Sequence, residues 1–495
     1  MRRFPQFAAF AVAMVLVTSA HTSVAFADDP IITKAPSATT TQAPWPTPTI
    51  APLPFAPPTD PCKSAWDWLT TDCQLTAYGV RVYGIIDAGG GYQTNGVPFN
   101  GQAVYGTEYL IQKNSNRALW TLAPNALNNS AIGVRGFEPF APGWAFVFDY
   151  SVFFVPYGWQ LESGIGSIYQ NRGVPLASQT SNYDSSRNGQ AWNNTAYIGV
   201  SSPTYGTLTL FRQLALTTDA VLAYDSLPGA NGFSLISFDG TTCGNGTTED
   251  CRVTTSAKYR VQIGPVRLAA LWQFGGYDLN NASNGGAQGQ IGADIPYVGP
   301  GALSFDAIYS YMRDAVATAI TPSGTFPMTA TLSNDQSVML TAKWTWDRLR
   351  LYGGYEWIQF APPSDPRTQF TNVAGICTGA PCFNDTAINN TAYNAGDKIL
   401  NVAWAGVRYT VIKDVDVMGA WYHITQPTFG VGCTSTAAAT CHGTEDTFSG
   451  VIDWQFKPKW DTYVGAWFSE VNGGLASGFA VRSMVAYTGG VRLRF

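Results

Sequence analysis

Cysteine is the residue type in this chain whose chemistry is most tightly constrained by its spacing. The eight cysteines fall into four local pairs that long stretches of other residues separate. The pairs are Cys62 and Cys73, Cys243 and Cys251, Cys377 and Cys382, and Cys433 and Cys441. Such pairs either form disulfides in an oxidising compartment or supply thiolates to zinc. The chain has no CxxC pair, so the spacing predicts four sequential disulfides, no metal and no cofactor.

Histidine is the next residue type that could do chemistry. Beyond the first 27 residues the chain contains only His423 and His442. A hydrolase of the nucleophile type needs a histidine beside its nucleophile, or else a pair of acids. Only His423 falls within a candidate strand, and no companion for it is recognisable. We therefore predict that the chain is not an enzyme and that His423 is a wall residue near a belt of aromatic side chains.

The N-terminal residues have the three parts of a secretory signal. Arg2 and Arg3 precede an apolar run over 7–17, and the small residues "AFA" stand before Asp28. This order predicts a signal peptide at 1–27 that is cleaved after Ala27. Export to an oxidising compartment agrees with the disulfides inferred above.

The remaining composition favours a membrane protein that crosses with strands. Charged residues make up 12% of the chain, about half the roughly 25% usual in soluble domains. Aromatic residues reach 14%, glycine is abundant, and beyond the signal we find no apolar run of about 18 residues. A concentrated basic patch is also absent from the sequence, so no nucleic-acid partner is predicted.

Two segments precede the first strand of the pattern. Residues 28–61 are rich in Pro and Thr, which predicts a semi-extended linker. Residues 62–78 contain "CKSAWDWLTTDC" and read as a short helical element closed by a disulfide on the periplasmic side. We weigh three roles for this extension: a tether to the cell wall, a plug at a pore mouth, or a spacer.

From Tyr78 onward, alternating segments are joined in rotation by short turns and long polar loops, which is typical of outer-membrane barrels. Seven short turns are recognisable. They are "EPFAPG" (138–143), "SPTYG" (202–206), "IGPV" (263–266), "VGPG" (298–301), "WDRL" (346–349), "IKDV" (412–415) and "KPKW" (457–460). Seven hairpins supply fourteen strands, and a first and a last strand bring the number to sixteen. The prediction is an all-β transmembrane antiparallel barrel over 79–495.

Individual strands support this interpretation to different degrees. Around 448–456 and 338–346, apolar residues alternate strictly with polar ones. Residues 399–411 alternate poorly, which we interpret as burial against a neighbouring subunit. The strand count also places the last three cysteine pairs in the third, sixth and seventh long loops, all on one side of the membrane.

Several segments match a known family. They are "VRVYGIIDAGGGYQTNG" (80–96), "SAIGVRGFEPFAPGWAFVFDY" (130–150), "AYIGVSSPTYGTLTLFRQ" (196–213) and the terminal "GGVRLRF". In these segments the chain resembles the trimeric general porins of Gram-negative outer membranes, most closely those of the alphaproteobacterial, rhizobial type. The resemblance covers almost everything from Tyr78 to Phe495.

The resemblance implies a water-filled channel for passive diffusion of ions and small hydrophilic solutes. Its third loop, residues 214–251 here, would fold inward and carry the acids of a charged constriction. The implied acids are Asp219, Asp225 and Asp239, with Asp87 also facing the lumen. The implied bases are Arg81, Arg135 and Arg260, with Arg212 and Lys258 behind them. Arg212 shares strand parity with the apolar Leu208 and Leu210, which leaves its direction open.

The same resemblance implies partners and an assembly route. It implies a homotrimer in the outer membrane, in contact with lipid and lipopolysaccharide, with peptidoglycan as a candidate partner of the extension. The terminal Phe495 would close the last strand beside the first and serve as the signal for the barrel-assembly machinery.

Two alternatives share the barrel fold and stay open at this point. A substrate-specific channel could use an aromatic track formed by Tyr224, Phe233 and Phe238, although single loop aromatics more often anchor a loop to the wall. A structural or adhesin barrel would have a blocked lumen. A gated siderophore-type transporter is excluded, because its roughly 22 strands and its plug need a longer chain.

Overall fold

The computed structural model describes residues 61–95, 118–161, 191–236, 252–276, 279, 281, 283–319, 328–365, 388–390, 396–430, 433, 438–477 and 481–495. The predicted signal peptide, nearly all of the linker, Asp239, Phe238 and two cysteine pairs (243/251 and 377/382) lie outside these residues.

Sixteen long antiparallel strands form one closed barrel, as the sequence predicts. Strands β1 to β8 are Val80–Gln93, Ala131–Ala141, Trp144–Val155, Thr195–Ser202, Gly206–Leu214, Arg252–Ile263, Val266–Gln273 and Gly286–Val298. Strands β9 to β16 are Gly301–Ala319, Met328–Trp346, Leu349–Ala361, Lys398–Ile412, Val415–Gln426, Gly443–Lys457, Trp460–Gly473 and Ser483–Arg494. Short strands occur at Leu75–Ala77, Leu119–Leu122, Gln160–Leu161 and Ile388–Asn390.

The first and last strands pair and thereby close the barrel. Strand β1 pairs with β2 over Val80–Ile85 and with β16 over Ile85–Gln93. The chain end takes part, because Phe495 and Gly84 exchange backbone hydrogen bonds of 2.9 Å in both directions. Closure matters because it satisfies the edge hydrogen bonds that an open sheet would expose to lipid.

All seven predicted short turns are confirmed, since neighbouring strands end and begin within or beside each predicted stretch. The local reason is backbone geometry. Gly143 and Gly264 adopt positive φ values of 72° and 59°, which glycine reaches without steric cost. Asp347 and Asp414 take the same left-handed region in two of the other turns, where a short polar side chain tolerates it.

The side chains alternate between lipid and lumen as the sequence predicts for the regular strands. On β14, Phe448, Ile452 and Trp454 are exposed on the outer face, whereas Asp453 points inward and is buried. On β16, Tyr487 and Val491 are exposed outside, and Arg492 is buried inside. Aromatic pairs gather at the turn end of the outer face, where Trp144 stacks on Tyr205 at 5.6 Å. Such belts mark the boundary between lipid and water.

Two helices accompany the barrel in the described residues. Helix α1 (Ala65–Thr70) lies in the predicted disulfide element, and Cys62 and Cys73 are bonded as expected. Helix α2 (Leu216–Tyr224) follows β5 directly, and a short 3₁₀ turn occupies Gly474–Ala476. The Cys433–Cys441 disulfide is also confirmed, between β13 and β14. Neither helix has the length or the apolar run that a membrane-crossing helix needs.

Candidate functional site

The loop between β5 and β6 folds into the barrel and covers much of its inner wall. Its described part, residues 215–236, is called the inner loop here. Most of its residues are buried, and its contacts run from β6 round to β15. It begins with α2, whose Leu216, Ala220, Val221 and Tyr224 are buried against the wall. The backbone N–H of Leu216 donates to Gln288 Oε1 on β8 at 2.6 Å.

The first polar contact of the inner loop is made by Asp219. Its carboxylate accepts a hydrogen bond from Lys258 Nζ at 2.9 Å and pairs with the Arg260 guanidinium, both on β6. Lys258 Nζ also donates to the Leu214 carbonyl at 2.7 Å. The structure therefore brings together three of the predicted charged residues. Two cations share one carboxylate, so the local balance is positive.

The second contact lies at the end of α2. Tyr224 donates its hydroxyl hydrogen to Asp306 Oδ2 at 2.6 Å and accepts from Arg267 Nη2 at 2.8 Å. Arg267 also pairs with Asp294 and Asp306. Burial raises the pKa of the Tyr224 hydroxyl, so it stays a donor at neutral pH. The indole N–H of Trp404 donates to the Tyr224 carbonyl at 3.0 Å, which fixes the loop to β12.

Asp225 is fully enclosed by donors. Its carboxylate accepts from Ser234 Oγ at 2.6 Å, from Tyr422 OH at 2.8 Å and from the Leu227 N–H at 3.2 Å. Burial raises the pKa of this carboxyl group, because the charged form loses its water. The residue ties the loop to itself and to β13.

The far end of the inner loop is held by an aromatic contact and by a second inward segment. Phe233 is fully buried and meets Tyr463 of β15 edge to face, with ring centroids 6.2 Å apart. The Gly232 N–H donates to the Ala126 carbonyl at 2.8 Å. Residues 123–130, which precede β2, also lie inside the barrel, so two loop segments meet across the lumen.

Asp87 lies beneath that second segment. It accepts from the backbone N–H groups of Leu127 at 2.8 Å and Asn128 at 2.7 Å, and from Tyr463 OH at 2.6 Å. It faces inward, as its parity predicts, and it is completely buried.

Apolar packing also holds the inner loop. The inward residues of β9 to β13 include Met339, Ile358, Val402 and Trp404, and they form one buried cluster with α2. This cluster explains the apolar inward positions of β12, because the inner face of that strand packs on the loop. The interpretation that β12 is also buried against a neighbouring subunit stays a prediction. Tyr224 and Phe233 belong to such packing, which agrees with the expectation that single loop aromatics anchor a loop.

The remaining predicted bases lie on the uncovered part of the wall. Arg81 and Arg135 are register partners on β1 and β2, and the Arg135 guanidinium stands 4.7 Å from the centre of the Tyr83 ring. Tyr83 donates to Asp149, whose two oxygens lie 2.8 and 2.9 Å from the hydroxyl. Among the described residues, no acceptor lies within hydrogen-bond reach of the buried Arg81 Nε.

A bulge decides the direction of Arg212. The β5–β6 register shifts between Phe211 and Gln213, and Phe211 turns outward with a positive φ of 87°. Arg212 therefore points inward, where its Nε and Nη2 donate to the Asn193 carbonyl at 3.2 and 2.9 Å. Strand parity alone leaves this open, because it does not register the extra residue.

Sequence reasoning missed the densest charge network in the described part of the lumen, which centres on Arg492 and Arg494 of β16. Arg492 donates to Asp461 and Asp453, at 2.9 Å each, and also contacts Asn128. Arg494 pairs with Asp461 from the other side. This network could have been recognised in the sequence from Asp453 and Asp461, the two acids at inward positions on β14 and β15.

Metal chemistry and histidine chemistry find no support in the described residues. No group of three or more candidate metal ligands occurs among them. His423 shares the outward parity of Trp421, stacks on that ring at 5.7 Å and contacts Asp446 Oδ1 at 2.7 Å. It is therefore a wall residue beside an aromatic side chain, as predicted.

A closed barrel of sixteen strands with a loop folded into a charged lumen defines the class of diffusion porins. Residues 11–474 match the model of the Gram-negative porin family, and the chain belongs to that family. It is an outer-membrane protein that forms a channel for passive diffusion. The finer likeness to the rhizobial type stays a prediction.

Known proteins agree with this assignment. The chain is 24% identical over 381 residues to an outer membrane porin protein of Bordetella pertussis, which covers 68% of this chain and 86% of that protein. An anion-selective porin from Comamonas acidovorans has the same fold, with a TM-score of 0.53, 15% identity, and coverage of 84% of this chain and 99% of that one. The trimer form of OmpT, an outer membrane protein of Vibrio cholerae, aligns with a TM-score of 0.50, 12% identity and coverage of 84% and 99%.

Proposed function

We propose that this porin selects small hydrophilic solutes by charge and that it prefers anions. The passage runs between the inner loop and the wall formed by β1 to β5. A field across a narrow opening with low-dielectric walls acts on each solute that enters. The sign of the fixed charge that remains after internal pairing then sets the preference.

The observation that carries this proposal is the unequal pairing of acids and bases. Asp225 and Asp87 are enclosed by hydrogen-bond donors, so their charge is shielded from the passage. Asp219 is shared by two cations. Arg81 and Arg135 stand side by side, and within the described residues Arg81 has no carboxylate partner. The fixed charge that remains along the passage after internal pairing is therefore positive.

The name of one relative points the same way. The Comamonas acidovorans protein with the same fold is described as anion-selective. That likeness concerns the fold, so the argument for this chain rests on its own arginines.

The test is the reversal potential of the purified mature protein in a planar bilayer under a KCl gradient. In the unmodified protein we expect a reversal potential whose sign indicates that chloride passes more readily than potassium. Arg81→Gln and Arg135→Gln should each shift the potential toward cations, and the double variant should shift it further. Arg348→Gln is the matched control, because it removes one cation at the turn between β10 and β11 and leaves the passage unchanged. Cation preference in the unmodified protein would refute the proposal.

We also propose that the protein works as a homotrimer and that its function is transport without catalysis. The trimer form of the Vibrio cholerae relative supports the first part. Lipopolysaccharide, the barrel-assembly machinery acting through Phe495, and peptidoglycan are further proposed partners. A heat-sensitive, SDS-resistant band at three times the monomer mass is expected, and a monomer at every detergent concentration would count against the trimer.

A further inference from the structure

The side of the barrel on which the disulfide element lies can be deduced from the chain end. Phe495 shares parity with Val491 and Tyr487, which are exposed on the outer face. Gly84 shares the outward parity of Val82, and a Cβ placed on it would lie 2.6 Å from Cζ of the Phe495 ring. The ring therefore lies over the outer face of β1, in a space that any larger residue at position 84 would fill.

Helix α1 is attached to this outward ring. The rings of Trp68 and Phe495 meet edge to face, with centroids 5.3 Å apart. Lys459, in the turn between β14 and β15, donates from Nζ to the carbonyls of Trp68 at 2.8 Å and Cys73 at 2.7 Å. Burial lowers the pKa of the Lys459 ammonium, but three donors with two carbonyl acceptors still make it a firm clamp. The element is thus fixed outside the lumen, at the turn end of the barrel.

The backbone confirms this position independently. Leu75–Ala77 pairs antiparallel with the beginning of β1, from Leu75 opposite Val82 to Ala77 opposite Val80. Strand β16 pairs with β1 only from Ile85 onward, and the chain ends at Phe495. The short strand consequently occupies the edge of β1 that the last strand leaves open. Hydrogen bonding and ring contacts both anchor the element to the closing seam.

One face of α1 remains uncovered in the described chain. Trp66 is two positions from Trp68, about 200° round a helix, so it points away from the barrel. Trp66 is 73% exposed, Leu69 is 37% exposed, and Ala65 beside them is exposed too. Tyr78, in the turn that leads into β1, is 99% exposed. These four exposed side chains, three on α1 and one in the turn, are together called the free apolar face of the element.

We propose that this free apolar face lies in the interface of the periplasmic leaflet and contacts phospholipid at the boundary between acyl chains and headgroups. Short turns face the periplasm in outer-membrane barrels, so the element stands at that leaflet. The outer face of the barrel lies in lipid, and its aromatic pairs gather at the same turn end at which Trp66 and Tyr78 are exposed. Trp and Tyr favour this depth because one end of each side chain is apolar and the other is polar.

The polar side chains of the element suit the same placement. Ser64 caps α1 by accepting from the Asp67 N–H at 3.0 Å, and Asp67 accepts from the Lys63 N–H at 2.9 Å. These groups lie at the exposed start of the helix, where water and headgroups are available. A helix that lies in an interface needs this division between an apolar and a polar face.

A second subunit is the rival occupant of this face. Stable protein interfaces bury on the order of 1,000 Å² or more, which far exceeds what three side chains of a six-residue helix and one tyrosine offer. Continuity with the lipid-exposed wall favours the membrane over another copy of the chain.

The test is photolabelling of the full mature protein in vesicles of phosphatidylethanolamine and phosphatidylglycerol. A trace phospholipid carries a diazirine near the acyl carbonyl. After reduction and trypsin digestion, the peptide between Lys63 and Arg81 contains the whole free apolar face and can be quantified by mass spectrometry. We expect it to be labelled as strongly as barrel peptides that carry turn-end tryptophans. In Trp66→Gln/Leu69→Gln this label should fall sharply, to the level that Tyr78 and Val80 in the same peptide retain.

The comparison is made on protein that still shows its heat-modifiable folded band. Lys63→Gln changes the polar side of the element instead and should leave the label unchanged. Because this variant lacks the trypsin site at position 63, it is digested with a protease that cuts elsewhere. An unlabelled peptide beside labelled barrel peptides would overturn the proposal, as would unchanged labelling of the double variant. In a parallel sample that is treated with a bifunctional protein cross-linker, a link from this peptide to a second chain, with no lipid label on the peptide, would assign the face to a subunit contact.

Discussion

Removing the Phe233 ring should release the far end of the inner loop from the barrel wall. The ring is fully buried and packs edge to face on Tyr463. The space that it occupies exists because position 465 is a glycine: a Cβ there would lie 2.6 Å from the ring. Phe233→Ala empties this space without touching a charged residue.

The magnitude follows from the burial. Replacing a buried phenylalanine by alanine costs about 3–5 kcal/mol, part of which is the roughly 0.5–1.5 kcal/mol of the aromatic pair. Each 1.4 kcal/mol is a factor of ten, so the ratio of detached to docked loop should rise by roughly two to three and a half orders of magnitude. The barrel itself retains its strand pairing, and the effect is concentrated in the loop.

Single-channel recording is the suitable assay, because a detached loop moves within the conducting passage. We expect additional conductance levels and frequent transitions in Phe233→Ala. The matched control is Phe468→Ala on the same strand as Tyr463, which removes an outward ring that is 36% exposed. Records from the two variants that cannot be told apart would refute the role assigned to Phe233.

The same contact can be disturbed from the wall. Gly465→Ala drives a methyl group into the Phe233 ring and against the Gly450 carbonyl, each 2.6 Å from the added Cβ, and should reproduce the unstable conductance, since overpacking costs about 1–3 kcal/mol. Gly450→Ala on the neighbouring strand is its control, because the added Cβ meets only the Met418 carbonyl, at 4.0 Å.

Two further predictions concern stability. Arg492→Met should lower the temperature of the heat-induced gel shift, because removing one partner from a buried ion pair costs about 3–5 kcal/mol; a shift no larger than that of Arg348→Met would contradict this. Cys73→Ser should leave conductance unchanged and speed tryptic cleavage after Lys63, since a disulfide across so short a loop contributes about 3 kcal/mol. Equal cleavage rates would show that the Lys459 clamp and the Phe495 contact suffice.

The strand count was predictable because turns carry local chemistry. Each short turn has Pro, Gly or Asp at a position where the backbone must reverse. In "IGPV" and "IKDV" the whole signal for the turn lies within four residues. Alternation on β14 and β16 is equally local, since lipid on one side and water on the other act on every residue. Two disulfides followed from proximity along the chain for the same reason.

The contacts of the lumen were not predictable at this level. Arg212 turns inward through a bulge, which alternation does not register. The apolar inner face of β12 exists because a loop nearly two hundred residues earlier in the sequence packs on it. Asp225 could be identified as a loop acid, but its enclosure by Ser234 and Tyr422 depends on the path of the loop. Long-range packing decides which charges remain open to a solute.

The path of the inner loop also fixes the order in which the channel can mature. Asp219 meets Lys258 only 39 positions later, a contact that the next strand already provides. Asp225 contacts Tyr422 at a separation of 197 positions, and Phe233 contacts Tyr463, which lies on a strand still later in the chain. Contacts between distant positions form late, because the intervening chain must first be in place. The contacts at the beginning of the inner loop can therefore form while the sheet is still growing. The width of the channel is fixed only after the last strands have been added.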